Sequence, residues 1–167
     1  NNFIATPHLG ASTLEAQLCV ACDVVDEIIA ALQGDFVKNT VNIPPMNPKV
    51  MAIVKPYLNL AEKMGKFCAQ LIDGAVNTIE VSYSGELANE EVTPITTTLL
   101  KGFLDTIIQE RVNFVNAPNL AKSRGIKVIQ KQASGDDDYA NLLTVRAVSG
   151  KGEITVSGTN FGKKDPR

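Results

Sequence analysis

His8 is the only histidine in the sequence, so any step that needs an imidazole must use it. It stands between an apolar segment, Phe3-Ile4-Ala5, and a helix start at Ser12. Catalytic groups are often displayed in such a place, and an imidazole there exchanges protons near neutral pH. On residue type alone, a loop histidine without a role is the commoner case. Cys19-Val20-Ala21-Cys22 has C-x-x-C spacing. It falls mid-helix among apolar neighbours, away from a helix N-terminus that would stabilise a thiolate, so two small buried side chains are expected. A zinc site needs four ligands, and Cys68 and His8 are too far along the chain to complete one, so no metal is expected. Asp136-Asp137-Asp138 lacks the spacing of a calcium loop and reads as a solvated turn. Gly158 to Lys164 superficially resembles a phosphate loop but is one residue short and lacks the following Ser or Thr.

The elements that must position these groups begin with a helix. Ser12 with Glu15 three residues later predicts a capping box. Leu14, Leu18, Ala21, Val25, Ile28 and Leu32 recur on one face, Val24 and Ile29 widen it, and Gly34 suits the end. A helix with so broad a stripe should be buried on more than one side. The prolines of Asn42-Ile43-Pro44-Pro45-Met46-Asn47-Pro48 predict a boundary near residue 46, dividing 1–45 from 46–167.

A second helical stretch carries Val50, Val54, Tyr57, Leu58, Ala61, Met64, Cys68 and Leu71 on its face, and Pro56 should kink or restart it. The period then changes to two, with Ile79, Val81 and Tyr83 alternating with polar residues. Thr93-Pro94 starts a third helix bearing Ile95, Leu99, Phe103 and Ile107, and a short turn over 118–124 stops at Gly125. Strands over 126–132, 141–148 and 153–159 follow, the last two joined as a hairpin by Ser149-Gly150-Lys151-Gly152. The expected class is α+β: a long N-terminal helix, then about four mainly antiparallel strands with helices packed on one face.

The composition fits an ordinary globular chain, with 44% hydrophobic and 20% charged residues among 167. A net charge of −2 supplies no global field to attract nucleic acid, and no apolar run is long enough to span a membrane. Three cysteines cannot all pair, and no secretory signal leads the chain, so a cytoplasmic setting is expected. The absence of a leading Met and the apolar opening suggest a chain that begins inside something larger.

The run Thr6-Pro7-His8-Leu9-Gly10-Ala11-Ser12-Thr13, with Glu15-Ala16-Gln17 behind it, resembles the end of the catalytic core in D-2-hydroxyacid dehydrogenases, most of all the phosphoglycerate dehydrogenase branch. Asn39-Thr40-Val41-Asn42-Ile43-Pro44 resembles that family's closing segment, which commonly has Ala in place of Thr40. Lys55-Pro56-Tyr57-Leu58, Leu60-Ala61-Glu62-Lys63, Val112-Asn113-Phe114-Val115-Asn116-Ala117-Pro118 and Val156-Ser157-Gly158-Thr159 resemble, in order, the domain inserted before the final regulatory domain of long-form members. The resemblance spans nearly the whole chain. A related regulatory module, as in bacterial L-serine dehydratases, is the alternative family.

The resemblance implies that His8 is the acid–base residue and that Gly10 lies by the nicotinamide of NAD. It implies that 46–167 is an allosteric substrate-binding domain for 3-phosphoglycerate or other anionic small molecules within a homo-oligomer that makes serine. Lys101, Arg124, Lys163, Lys164 and Arg167 are the basic residues near the matched motifs and the interdomain junction, and so the candidates for anion binding. The family's glycine-rich dinucleotide loop, substrate-binding Arg and histidine-partnering Glu would lie upstream, and no G-x-G-x-x-G occurs here. The 167 residues alone are therefore expected to bind no NAD and to be inactive. The contrasting expectation is a non-enzymatic oligomerisation scaffold with no ligand of its own.

Overall fold

The computed structural model describes residues 2–5, 7, 9–33, 37, 39–41, 48–133, 139–161 and 165–166. Two compact units separate, Asn1–Met46 and Asn47–Arg167.

In the first unit, α1 spans Leu14–Gln33. Its cap differs from the expected one. The Thr13 hydroxyl accepts the Ala16 N–H (3.2 Å), while the Ser12 hydroxyl donates to the Leu9 carbonyl (2.9 Å). Ser12 is thus spent on closing the turn at Gly10-Ala11, where Ala11 has φ 53°, and the capping role passes one residue along. The apolar stripe is real, but Leu14, Leu18, Val25, Ile28 and Leu32 are exposed. Cys19 and Cys22 are exposed as well, against expectation. Among the described residues of this unit there is no second helix or strand for the stripe to cover.

The second unit runs α2 (Pro48–Leu71), β1 (Val76–Gly85), a 3-10 turn (Glu86–Asn89), α3 (Thr93–Ile107), α4 (Ala117–Ser123), β2 (Lys127–Gln132), β3 (Asn141–Ser149), β4 (Gly152–Gly158), and the two-residue strands β5 (Asn160–Phe161) and β6 (Asp165–Pro166). The main sheet has the order β2-β1-β3-β4. Two of its pairings, β1–β3 and β3–β4, are antiparallel; β1–β2 is parallel because the chain crosses through α3 and α4 between them. The class is α+β, as expected.

Alternation decides which sheet face is buried. Ile79, Val81 and Tyr83 of β1 and Leu143, Val145 and Ala147 of β3 are fully buried, whereas Thr78, Glu80, Thr144 and Arg146 on the other face are only partly covered. The buried side chains meet Val54, Leu60, Ala61, Met64 and Cys68 of α2 and Leu99, Phe103 and Leu104 of α3. The two helices approach closely through glycines. A Cβ on Gly65 would collide with the Leu99 carbonyl oxygen, and one on Gly102 with the Glu62 carbonyl oxygen.

Pro56 neither ends nor restarts α2, which is helical on both sides of it. A mid-helix proline costs about 3 kcal/mol. Burial of Val54, Tyr57, Leu60 and Ala61 around it offsets that, at roughly 1.5–3 kcal/mol for each large side chain. The Pro56 carbonyl also accepts a hydrogen bond from Asn160 Nδ2 (2.9 Å), which ties the end of the unit to the helix.

Candidate functional site

A groove of about 320 Å³ lies between the start of α3, α4 and β2. Thr93, Thr96 and Thr97 come from the first turns of α3, Pro118 and Lys122 from α4, and Val128 and Gln130 from β2; Leu100 and Ile126 complete the wall. Each element delivers its residues for a local reason. Pro94 near the start of α3 has a φ suited to the first helical turn and no N–H to leave unpaired. Pro118 plays the same part in α4 and stands four residues before Lys122, which puts both on one helical face.

The polar groups differ in freedom. Thr96 is buried, and its hydroxyl meets the Tyr83 hydroxyl at 2.6 Å and the Gln130 amide at 2.5 Å. Burial pushes the Tyr83 phenol far above its ordinary range, so it stays a neutral hydrogen-bonding group. These bonds hold two of the groove's lining residues, Thr96 and Gln130, in place. At the start of α3 the Glu91 carboxylate accepts from the Thr93 N–H (3.2 Å) and the Thr93 hydroxyl (2.5 Å), so part of the helix N-terminus already has an internal anion. Lys122 lies on an exposed helix face at the rim. The arrangement suits a small molecule with an apolar side against Leu100, Pro118 and Val128 and an anionic end toward Lys122.

Of the basic residues singled out from the sequence, the two that are described, Lys101 and Arg124, do not line the groove. The Lys101 ammonium bonds Glu62 Oε1 at 3.0 Å and sits 5.6 Å from the centroid of the Phe114 ring. Glu62 also holds Lys66 at 2.8 Å. Hydrogen bonding by Lys66 is the largest cause holding the Glu62 carboxyl below its ordinary range, with Lys101 adding to it against desolvation. Arg124 is exposed just past α4. Gly10 lies in the turn before α1, with open space where a side chain would be. His8, Lys163, Lys164 and Arg167 lie outside the described residues, as do Asp136–Asp138.

Lys122, which lines the groove, is not among the residues singled out from the sequence; its spacing from Pro118 places both on one helical face and carries no further signal. Burial pushes the Cys68 thiol up to about 11, leaving it a core side chain and no nucleophile at neutral pH. Among the described residues no group of three His, Cys, Asp or Glu is placed to hold a metal ion, and no helix is long and apolar enough to cross a membrane.

A family model described as the D-3-phosphoglycerate dehydrogenase intervening domain matches residues 53–167. The chain is similar to the D-3-phosphoglycerate dehydrogenase of Methanocaldococcus jannaschii, 39% identical over 98% of this chain and 31% of the relative. It is 42% identical to that of Synechocystis over 95% of this chain and 29% of the relative. For the Bacillus subtilis protein the figures are 38%, 96% and 31%. The chain thus spans about a third or less of the curated relatives it matches.

Proposed function

We propose, from the premise that this chain belongs to the D-3-phosphoglycerate dehydrogenase intervening-domain family, that it is the part of such an enzyme that senses anionic ligands and helps assemble the oligomer. The family match over residues 53–167 carries this reading. In it, residues 46–167 are the regulatory domain and residues 1–45 are the closing segment of the catalytic core. The parent enzyme oxidises 3-phosphoglycerate to 3-phosphohydroxypyruvate with NAD, the first step toward serine, in the cytoplasm. His8 then exchanges the proton of the substrate hydroxyl, and Gly10 lies by the nicotinamide.

The residues present do not by themselves build an NAD site. No G-x-G-x-x-G occurs in the sequence, and among the described residues no glycine-rich turn links a strand to a helix as a dinucleotide cradle requires. No hydride-transfer step is therefore assigned to this chain, and NAD reduction by the 167 residues alone should be undetectable.

The groove with Lys122 on its rim offers a place for the anion, with an apolar wall beside a cationic side chain. Lys101 fits less well than it did from sequence, because binding an anion would compete with Glu62 for its ammonium. Titration of 3-phosphoglycerate and of inorganic phosphate into the chain tests the reading. Saturable binding weakened about tenfold by Lys122→Ala supports it, on the scale of one charge-assisted contact.

The exposed stripe of α1 favours a second reading, a scaffold that works by association alone. That reading requires self-association with no binding of either anion.

A further inference from the structure

The two edges of the main sheet are built differently. Edge strands expose unpaired backbone groups, and proteins blunt them with lysines, prolines or bulges. The β2 edge carries Lys127 and Lys131, the latter paired with Glu80 at 2.8 Å. The β4 edge, Gly152-Glu153-Ile154-Thr155-Val156-Ser157-Gly158, has neither lysine nor proline. Its register with β3 is continuous over seven residues, so no bulge twists it away. Its aliphatic residues, Ile154 and Val156, are only half-buried. Beside it runs a groove of about 420 Å³, lined by Leu60, Lys63, Met64 and Phe67 of α2 and by Val156 to Gly158. The Phe67 side of this groove is open, with that residue 52% exposed.

The order of residues in β4 identifies an occupant. Written about Thr155, the strand is nearly its own mirror: glycine at each end, a polar residue inside each glycine, an aliphatic residue next, and threonine at the centre. An antiparallel partner of the same sequence, related by a two-fold axis at Thr155, places Ile154 against Val156 of the second copy, and Val156 against its Ile154. It places Glu153 against Ser157 of the second copy, a carboxylate opposite a hydroxyl. The two Glu153 carboxylates stay four positions apart. Directly opposed residues are the pairs that interact most strongly in an antiparallel ladder, and here each pair is compatible in both directions. On the helix side, Ile154 of the second copy would lie beside Val156 at the mouth of the groove. Glu153 is already held at one oxygen by Arg146, and Ser157 meets the Thr144 hydroxyl at 2.9 Å, so both side chains stand ordered on the exposed sheet face.

We infer that β4 pairs with β4 of a second copy of this chain, joining two four-stranded sheets into one of eight strands. This deepens the self-association part of the proposed function and rests on it. An interface of one strand edge and one groove is small, so a dissociation constant of about micromolar or weaker is expected.

Sedimentation of the 167-residue chain across concentration, with two charge variants, tests it. Thr155 is exposed on the face away from the helices, so a long side chain there leaves the core intact. Thr155→Lys places two ammonium groups across the axis, and Thr155→Glu two carboxylates; each should weaken dimerisation about tenfold or more, and an equimolar mixture should restore it as a heterodimer. Restoration in the mixture supports the pairing, and circular dichroism of each variant checks that it is folded. Wild-type association that neither variant alters overturns the assignment to β4, leaving self-association to another surface. A wild-type chain that stays monomeric at about 1 mM overturns both, since such a contact would then be weaker than a millimolar interaction.

Discussion

Helices α1 and α2 are both long, and both carry an apolar stripe at helical spacing, yet one is exposed and the other forms the core. On α2, Val54, Leu60, Ala61, Met64 and Cys68 are at most 5% exposed, because α3 and the sheet lie against them. On α1, Leu14 and Leu32 are each 83% exposed. The stripes differ less than their surroundings do. Periodicity records which face of a helix needs cover; it does not say what supplies the cover. Close packing needs a second signal, and α2 and α3 have one in Gly65 and Gly102, which let the two backbones approach where a methyl group would not fit.

The largest expected effect strikes that crossing. Gly102→Val should destabilise the second unit by about 3 kcal/mol or more, because its Cβ would meet the Glu62 carbonyl oxygen and the α2–α3 contact would have to open. Glycine in a helix interior is otherwise a poor choice by about 1 kcal/mol relative to alanine. Gly102→Ala therefore separates propensity from contact. If thermal unfolding of Gly102→Ala shows a gain in stability, the close crossing is not the reason for the glycine.

Next in size is the buried hydroxyl pair. Tyr83→Phe keeps the ring but removes the bond to Thr96, and should cost about 1–1.5 kcal/mol in a denaturant titration. The loss is held to that range because Thr96 keeps its bond from Gln130. A neutral result would mean that Thr96 is satisfied without the phenol.

A smaller effect belongs to Glu62, which links Lys66 on its own helix with Lys101 across the crossing. Its folded pKa lies below the ordinary 4.5. The group therefore contributes stability that is fully present above its unfolded value and is lost as pH falls through the lowered folded one. Glu62→Gln should cost less than about 1 kcal/mol at pH 7, since the pair is partly exposed and screened. The gap between variant and wild type should close in acid below pH 4.5. A gap that persists unchanged there would assign the effect to packing.

Much of the second unit was legible in sequence because its signals are local. The period-two run through Ile79, Val81 and Tyr83 and the Gly150-Lys151 turn between β3 and β4 each specify an element without reference to distant residues. What failed to show was the result of competition or of distance. Of the kink or restart that Pro56 signals, the restart does not occur, because burial of its neighbours outweighs the local cost. Ser12 has the right spacing to cap α1, but a nearby carbonyl captures its hydroxyl first. The parallel β1–β2 pairing follows from a crossover through α3 and α4, which strand patterning alone does not reveal. For the candidate site, sequence drew attention to Lys101, whose ammonium the fold commits to Glu62. It passed over Lys122, whose value comes from walls supplied by two other elements.

The smallest expected effect returns to α1 and sharpens the contrast from the other side. Leu18 is 70% exposed, so Leu18→Gln removes little buried area. Both residues are good helix formers, and the change should alter the unfolding free energy of the 167-residue chain by less than about 0.5 kcal/mol. A substitution at a covered position behaves differently: Leu99→Ala in α3, where the side chain is fully buried, should cost about 2–5 kcal/mol. If Leu18→Gln instead costs several kcal/mol at high protein concentration and little on dilution, the stripe of α1 is being covered by association between copies. Concentration dependence is the discriminating readout, because cover supplied within one chain does not weaken when the chains are diluted.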